Sequence, residues 1–349
     1  MPTAVAKSVI DTEKFVQDIL RSIDRDRERE IVARRFGLFD RRETLEQIGE
    51  LLGITRERVR QLEKSVVSRF KSLAEQGELP HVKEVESALL HQLHQMGEAA
   101  RINELSAAVT AENTKTDQSR VIFLAMLCPR LSTIDEDDNY FQAAGVNGVR
   151  DTADMKTDIA KLVEAIKKVG KPVPVAEAAK AAGLDDAKQA EALASISKSL
   201  ATLNGCWGLI KWPMVNPKNI RDKIYVILKE NGKHMHFNDI AEAIKKSDFK
   251  RKDVTTQAIH NELIKDKRFV LIGRGIYALK EWGYQKGTVA DIITDVLKEA
   301  GEPLHRDEIV KRVLKSRFVK ETTILLNLQG KTQFKRVAKA TYSLDEEVA

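Results

Sequence analysis

The residues of this sequence best suited to chemistry lie close together between positions 55 and 64. Arg56, Glu57 and Gln61 fall on one side of this segment when it is laid out as a helix at 100° per residue. An arginine can donate two hydrogen bonds to guanine, a glutamine can pair with adenine, and a glutamate can accept from the cytosine amino group. These residue types at this spacing predict a helix that reads base edges in the major groove of DNA.

Two helices joined by a turn are needed to position these side chains. Thr44 and Gln47 have the spacing of a capping box, which predicts the start of the first helix. Gly53 predicts its end, because the turn needs a residue that tolerates positive φ, and Thr55 is a suitable cap for the second helix. Two apolar stripes predict the packed faces of this helix-turn-helix: Leu45, Ile48, Leu51 and Leu52 in the first helix, and Val59, Leu62, Val66, Phe70 and Leu73 in the second.

The alternative interpretation is an amphipathic helix whose charges only keep it solvated. Positions 55–71 hold six basic and two acidic side chains, a local net charge of +4, and charge alone leaves this alternative favoured. A mixed set of Arg, Glu and Gln behind a glycine-containing turn favours DNA reading instead.

The segment resembles region 4 of bacterial sigma-70 factors. The resemblance covers about residues 11–73 and rests on residues 27–38, 44–49 and 54–63. It implies binding to the −35 promoter element and contact with the flap of RNA polymerase, with the first helices, near Phe15 to Phe36, facing polymerase. The implied base contacts are Arg56, Glu57 and Gln61. The implied phosphate contacts are Thr55, Arg58, Arg60 and Lys64.

Sigma factors carry a region 2 ahead of region 4, with aromatic residues that capture the −10 strand. Here the resemblance to region 4 begins within the first twenty residues. We therefore expect that the chain is not a self-sufficient sigma factor, and the remaining 270 or so residues need a separate interpretation.

Composition excludes several classes of protein. The 349 residues are 32% charged and 42% hydrophobic, which is typical of a soluble folded chain. No stretch approaches 18 uninterrupted apolar residues, and the N-terminus lacks the apolar segment of a signal peptide. Two cysteines, Cys128 and Cys206, make neither a disulfide framework nor a zinc site. We expect a cytoplasmic protein, located in the bacterial cytosol or nucleoid.

The net charge of +6 is unevenly distributed along the chain. Residues 1–80 carry a net charge of +1 and residues 81–217 a net charge of −3, whereas residues 218–344 hold 27 basic and 16 acidic side chains, a net charge of +11. A basic excess on the scale of a domain favours a nucleic-acid partner, and a lysine-rich solvated surface is the alternative.

Four stretches after residue 80 share one frame, which begins at Gly97, Gly170, Gly232 and Gly301. Amphipathic helices precede these glycines at 82–96, 157–169, 220–230 and 289–300. Two further helices follow, and then an apolar strand with an aromatic residue, at 139–141, 206–210, 275–279 and 340–344. This order, ending in a two-stranded hairpin, is that of a winged helix. The predicted fold class is mainly α, with an N-terminal helix-turn-helix domain and a tandem array of small winged helices.

The last two copies resemble the HARE-type winged helix, a module also present in the delta subunit of bacterial RNA polymerase. The resemblance rests on residues 236–240, 275–279 and 304–309 and covers about residues 218–344. The predicted domains are 1–79, 81–148, 155–215, 218–284 and 286–349, of which 81–148 and 155–215 are diverged winged helices.

The third helix and the wing are the usual nucleic-acid surfaces of a winged helix. Candidate contacts in the third copy are Lys250, Arg251, Lys252 and Arg274, with Lys265, Lys267 and Arg268 in the same segments. Candidates in the fourth are Lys320, Lys335 and Arg336, with Lys315, Arg317, Lys331 and Lys339. The acidic middle copies look better suited to docking protein.

Few other side chains predict a site. His236 and His305 occupy one frame position, where the other copies have Arg101 and Pro174, so a turn or packing role is favoured over catalysis. His91 and His94 have no further ligand nearby, which argues against a metal. Cys128 is expected to lie in a core, and the three tryptophans, at the ends of wings, are expected to pack rather than to stack on bases.

We therefore predict a non-enzymatic transcription protein of bacterial type, with no cofactor, metal, small-molecule substrate or membrane attachment. Its predicted partners are double-stranded DNA and the flap of core RNA polymerase. One alternative is a delta-like accessory subunit of RNA polymerase with incidental DNA contact. Another is the recognition subunit of a DNA-processing system.

Overall fold

The computed structural model describes residues 9–149, 151–249 and 253–345 of the chain. These residues belong to two compact units, Met1–Lys211 and Trp212–Ala349. Helices predominate in both units, and the strands form small antiparallel sheets. The mainly helical character that the sequence predicts is therefore confirmed.

The first four helices contain the predicted helix-turn-helix. They are α1 (Thr12–Arg21), α2 (Asp26–Phe36), α3 (Leu45–Leu52) and α4 (Arg56–Gln76). Because α4 has 21 residues, it is about 31 Å long, and its C-terminal half extends well beyond α3.

The remainder of the chain repeats one order of elements four times: helix, strand, helix, helix, strand, strand. The first repeat has α5 (Val82–Met96), β1 (Ala99–Arg101), α6 (Ile102–Val109), α7 (Lys115–Leu127), β2 (Leu131–Ile134) and β3 (Ala143–Val146). The second has α8 (Thr152–Val169), β4 (Val173–Pro174), α9 (Val175–Ala182), α10 (Ala187–Ile196), β5 (Leu200–Leu203) and β6 (Cys206–Leu209). The third has α11 (Ile220–Asn231), β7 (Met235–His236), α12 (Phe237–Lys246), α13 (Thr256–Lys265), β8 (Phe269–Gly273) and β9 (Ile276–Leu279). The fourth has α14 (Val289–Ala300), β10 (Leu304–His305), α15 (Arg306–Ser316), α16 (Glu321–Gly330), β11 (Phe334–Ala338) and β12 (Thr341–Leu344).

Each repeat closes its own three-stranded antiparallel sheet with the last strand in the centre. The strand orders are β1-β3-β2, β4-β6-β5, β7-β9-β8 and β10-β12-β11. The sequence predicted a two-stranded hairpin in each repeat, and the structure adds a third, short strand between the first two helices. This strand was not predicted because two or three residues are too few to show an alternating pattern. The predicted strand at 139–141 is wrong: the last strand of the first repeat is β3, and Tyr140 forms only an isolated bridge with Ser197.

The recurring glycine ends the first helix of every repeat. Gly97, Gly170, Gly232 and Gly301 have φ between 64° and 90°, a left-handed conformation that glycine adopts without steric cost. Four residues after Gly232 and Gly301, His236 and His305 are the N-cap residues of the next helix. Nδ1 of each histidine accepts a hydrogen bond from the backbone N–H two residues on, at 3.2 and 3.4 Å. These histidines therefore act in the turn, as predicted.

One apolar cluster joins α1, α2 and α4 to the first repeat. It extends from Ile10 to Val146 and includes Phe70 of α4 and Phe123 of α7. Arg120 of α7 also bonds to the N-terminal segment through polar contacts. Its Nε donates to the Leu38 carbonyl at 2.8 Å, and its Nη2 lies 2.8 Å from Glu13 Oε2. The segments 1–79 and 81–148 thus share one hydrophobic core.

Candidate nucleic-acid interface

Local hydrogen bonds build the turn between α3 and α4. Thr44 Oγ1 accepts from the Gln47 N–H at 3.2 Å, and Gln47 Oε1 accepts from the Thr44 N–H at 2.9 Å, so the predicted capping box is present. Gly53 ends α3 with a φ of 64°. Thr55 Oγ1 accepts from the Arg58 N–H at 3.2 Å and starts α4. The predicted start and end of α3 and the predicted start of α4 are confirmed.

A second glycine, Gly49, allows α3 and the start of α4 to approach closely. A Cβ atom at this position would lie 2.7 Å from the Ile54 carbonyl oxygen. The Gly49 carbonyl in turn accepts a hydrogen bond from the Ile54 N–H at 2.9 Å. Sequence reasoning missed this residue, although an isolated glycine inside a helical pattern often has such a packing reason.

The buried side of α4 matches its predicted stripe. Val59, Val66 and Phe70 are buried, and Leu62 and Leu73 pack against the same cores. The stripe of α3 needs one correction, because Ile48 is buried but Leu51 is 55% exposed. Gly49 takes the inner position beside Ile48, so the predicted inward orientation of Leu51 is wrong.

The three predicted base-reading side chains are exposed on the N-terminal half of α4, and internal hydrogen bonds hold them. Arg56 Nη1 lies 2.8 Å from Glu46 Oε1 of α3. Glu57 accepts from Arg60 Nε at 2.8 Å and Nη2 at 2.7 Å, and from Gln61 Nε2 at 3.3 Å. The hydrogen bonds from Arg60 hold the pKa of Glu57 below its ordinary value of 4.5, so this side chain is a carboxylate at neutral pH.

The Glu57 carboxylate restricts what this face of α4 can bind. It can accept a hydrogen bond from a donor such as the cytosine amino group, and it repels a phosphate at the same place. Exposed ion pairs contribute only about 0–1 kcal/mol, so Arg56 and Arg60 can exchange their carboxylate partners for DNA at little cost. Sequence reasoning did not single out Glu46, whose role depends on the packing of α3 beside α4.

The four predicted phosphate contacts surround the same end of α4. Thr55, Arg58, Arg60 and Lys64 are all exposed. Arg58 Nη1 donates to Gln61 Oε1 at 3.4 Å, whereas Lys64 forms no ion pair with any residue of the described ranges. The N-terminal end of a helix also carries partial positive charge, which favours a nearby anion.

The predicted polymerase-facing surface near Phe15 to Phe36 does not offer its aromatic rings. Phe15 is 6% exposed and stacks on His81, with ring centroids 4.3 Å apart. The Phe36 ring centroid lies 5.0 Å from that of Phe123 in α7. Because the apolar sides of α1 and α2 pack on the first repeat, this surface exposes polar groups such as Glu13 and Arg21 instead.

Several predicted contacts of the second unit are accessible. Lys250, Arg251 and Lys252 lie outside the described residues. The exposed candidates are Arg274 in the turn after β8, Lys320 at the start of α16, and Lys335 and Arg336 on β11.

Two other arginines of this unit have structural roles. Arg268 Nη2 lies 2.8 Å from Asp266 Oδ2, and its Nη1 lies 3.2 Å from Asp222 Oδ1. Arg317 Nη1 donates to the Gly287 carbonyl, and burial lowers the pKa of its guanidinium. The predicted nucleic-acid role of these two residues is therefore not favoured.

The described ranges contain no group of three His, Cys, Asp or Glu side chains that could hold a metal ion. His94 Nδ1 instead pairs with Glu98 Oε2 at 2.8 Å, and Cys128 is buried, as predicted. Burial also raises the pKa of the Cys128 thiol. Among these same residues, no helix combines the length and the apolar character that spanning a bilayer requires.

Comparison with known proteins agrees with the geometry of the helix-turn-helix. Residues 25–71 match the family described as Sigma-70, region 4. The chain is 40% identical over 75 residues to RNA polymerase sigma factor sigB of Arabidopsis thaliana. It is 39% identical over 64 residues to RNA polymerase sigma factor RpoD of Helicobacter pylori, in strains 26695 and J99. These matches cover 18–20% of this chain and only 9–13% of the relatives' length. Residues 25–71, which carry the helix-turn-helix, are a sigma-70 region 4 domain.

Proposed function

We propose that this chain is a DNA-binding transcription protein that reads a promoter-like element with α4, acts together with RNA polymerase and catalyses no reaction. The observation that carries the proposal is the N-terminal half of α4. Arg56, Glu57 and Gln61 are exposed there, on a helix whose other side is buried through Val59. The matched relatives are named RNA polymerase sigma factors, which supports a role in transcription.

We also infer that the four repeats are winged helices and that the last two are of the HARE type. Their shared order of elements and the central position of the last strand in each sheet support this inference.

The first hairpin, formed by β2, β3 and the residues between them, contacts the second repeat. Lys198 Nζ of the second repeat lies 5.2 Å from the Phe141 ring centroid and 2.8 Å from Glu136 Oε1. This hairpin therefore serves contacts within the chain.

A second candidate function is that of a polymerase accessory subunit. Ile264 of α13 is 61% exposed and Leu326 of α16 is 68% exposed, each on the third helix of its repeat. Exposed apolar side chains on such faces suit a protein partner better than a phosphate backbone. In this case DNA reading by α4 would be secondary to docking by the second unit.

To test the proposed function, the full chain is first used to select the duplexes that it binds from a library of random sequences. Arg56→Ala and Gln61→Ala should then each weaken binding to the selected duplex by about 1–3 kcal/mol, or roughly 5- to 150-fold. Matched controls on the same helix, Lys71→Ala and Gln76→Ala, should leave the preference for the selected sequence unchanged. Failure to enrich any sequence contradicts the proposal, and so does an equal loss of affinity for random duplex.

A further inference from the structure

Among the described residues of the second unit, the fourth hairpin carries the densest group of exposed cations that form no ion pair. This hairpin is formed by β11, β12 and the turn between them. It carries Lys335, Arg336 and Lys339, and Lys331 lies just before it. All four side chains are exposed, and none pairs with a carboxylate of the described residues. Arg336 Nε donates to the Ala338 carbonyl at 3.2 Å, which fixes its guanidinium on the hairpin.

The third helices of the second unit lack a comparable charge. The exposed side chains of α13 are Gln257, Asn261, Ile264 and Lys265, so its only exposed cation is at the last position. The exposed side chains of α16 are Glu321, Thr322, Thr323, Leu326 and Gln329. By contrast, the exposed part of α4 carries three arginines and a lysine within nine positions.

The other three hairpins do not share the charge of the fourth. The first contains Asp135, Glu136, Asp137 and Asp138 and packs on the second repeat. The turn of the second consists of Asn204 and Gly205, and the turn of the third has one cation, Arg274. The basic character is therefore specific to the fourth hairpin and is not a general property of the repeat.

We propose that the fourth hairpin, rather than either third helix, binds the sugar-phosphate backbone of duplex DNA. The proposal rests on the proposed DNA-binding function and assigns the site through which the second unit contributes to it. Exposed cations without an ion-pair partner displace condensed counterions from DNA, whereas the exposed side chains of α13 include one cation and those of α16 include none. The contact would be independent of sequence, because phosphate contacts carry no base information.

The test measures how the affinity of the full chain for a random-sequence duplex depends on salt. Each phosphate contact contributes about 0.9 to the slope of log K against log salt concentration. The triple variant K335A/R336A/K339A should therefore lower the slope by about 2.7. Between ~50 and ~200 mM salt, the wild-type chain should lose about 40-fold more affinity than this variant.

Two control variants separate a local contact from a general effect of charge. K280A/K286A/K311A removes the same charge from exposed positions of the same unit and should leave the slope nearly unchanged. T322A/L326A/Q329A alters the exposed face of α16 and should have no effect on the slope. Circular dichroism melting curves check that all variants are folded.

Each outcome distinguishes the two proposals. A lower slope in the hairpin variant alone supports the hairpin as the phosphate-binding site. If the wild-type chain binds duplex DNA and the hairpin variant matches the charge control, the inference is overturned while the proposed function stands. If the wild-type chain binds no duplex at ~50 mM salt, the proposed function fails and this inference fails with it.

Discussion

Replacing Gly49 by alanine should separate DNA reading from stability in the helix-turn-helix. The new Cβ atom would lie 2.7 Å from the Ile54 carbonyl oxygen, whereas ordinary contacts begin at 3.4 Å. Backbone of the turn must therefore move by about 0.7 Å, at an overpacking cost of about 1–3 kcal/mol. Alanine is favoured over glycine inside a helix by about 0.5–1 kcal/mol, which offsets part of that cost. The net loss of unfolding free energy should be about 0–2.5 kcal/mol.

The effect on DNA binding should be larger than the effect on stability. Ile54 directly precedes the cap of α4, so a displacement of its carbonyl passes to Arg56 and Glu57 at the start of that helix. Each well-formed base contact contributes about 1–3 kcal/mol of discrimination. Loss of one such contact corresponds to roughly 5- to 150-fold weaker binding to the selected duplex. Fluorescence anisotropy measures this binding, and hydrogen exchange of residues 44–76 measures local stability.

Gly53→Ala is the matched control for this prediction. Gly53 has a φ of +64°, and a Cβ atom added there would meet no other atom within 4 Å, so alanine strains the backbone without displacing α4. It should cost about 1–2 kcal/mol of stability and leave the affinity of the folded protein within a few-fold of wild type. The reasoning is refuted if Gly49→Ala binds the selected duplex as tightly as wild type, or if Gly53→Ala loses as much affinity.

Two further predictions concern the buried side chains of the first unit. Arg120→Met should lower the free energy of unfolding by about 2–3 kcal/mol, because it leaves the Leu38 carbonyl and Glu13 without their charged donor. It should also speed hydrogen exchange in α1 and α2. Unchanged exchange there would contradict the role given to Arg120. Burial raises the pKa of the Cys128 thiol, and the thiolate is the form that reacts, so only Cys206 of the native chain should react with a disulfide reagent at pH 8. The variant Cys206→Ser should then have no fast-reacting thiol until the chain is unfolded. A Cys128 that reacts as quickly as an exposed thiol would show that the apolar cluster opens readily.

Local patterns carried most of what the sequence predicted correctly. The capping box at Thr44, the positive φ of Gly53 and the buried stripe from Val59 to Phe70 each depend on residues within a few positions of one another. The errors arise where distant segments meet. Leu51 faces solvent because Gly49 takes the contact with Ile54, and the ring of Phe15 is covered by His81, 66 positions later. Side-chain periodicity within one element cannot show which other element covers it.

The apolar cluster that joins α1 to the first repeat has a consequence for how the N-terminal part of the chain can be isolated. A fragment that ends near residue 80 would expose Phe15, Ile19 and Phe70, which are at most 6% exposed in the intact chain. Such a fragment would lose the partner surface of α7 and should aggregate or remain partly unfolded. The smallest autonomous folding unit that contains α4 should therefore extend to Val146 at least. Limited proteolysis should accordingly not cleave the connection at Leu79 and Pro80, although a proline among charged residues is typical of a linker between domains.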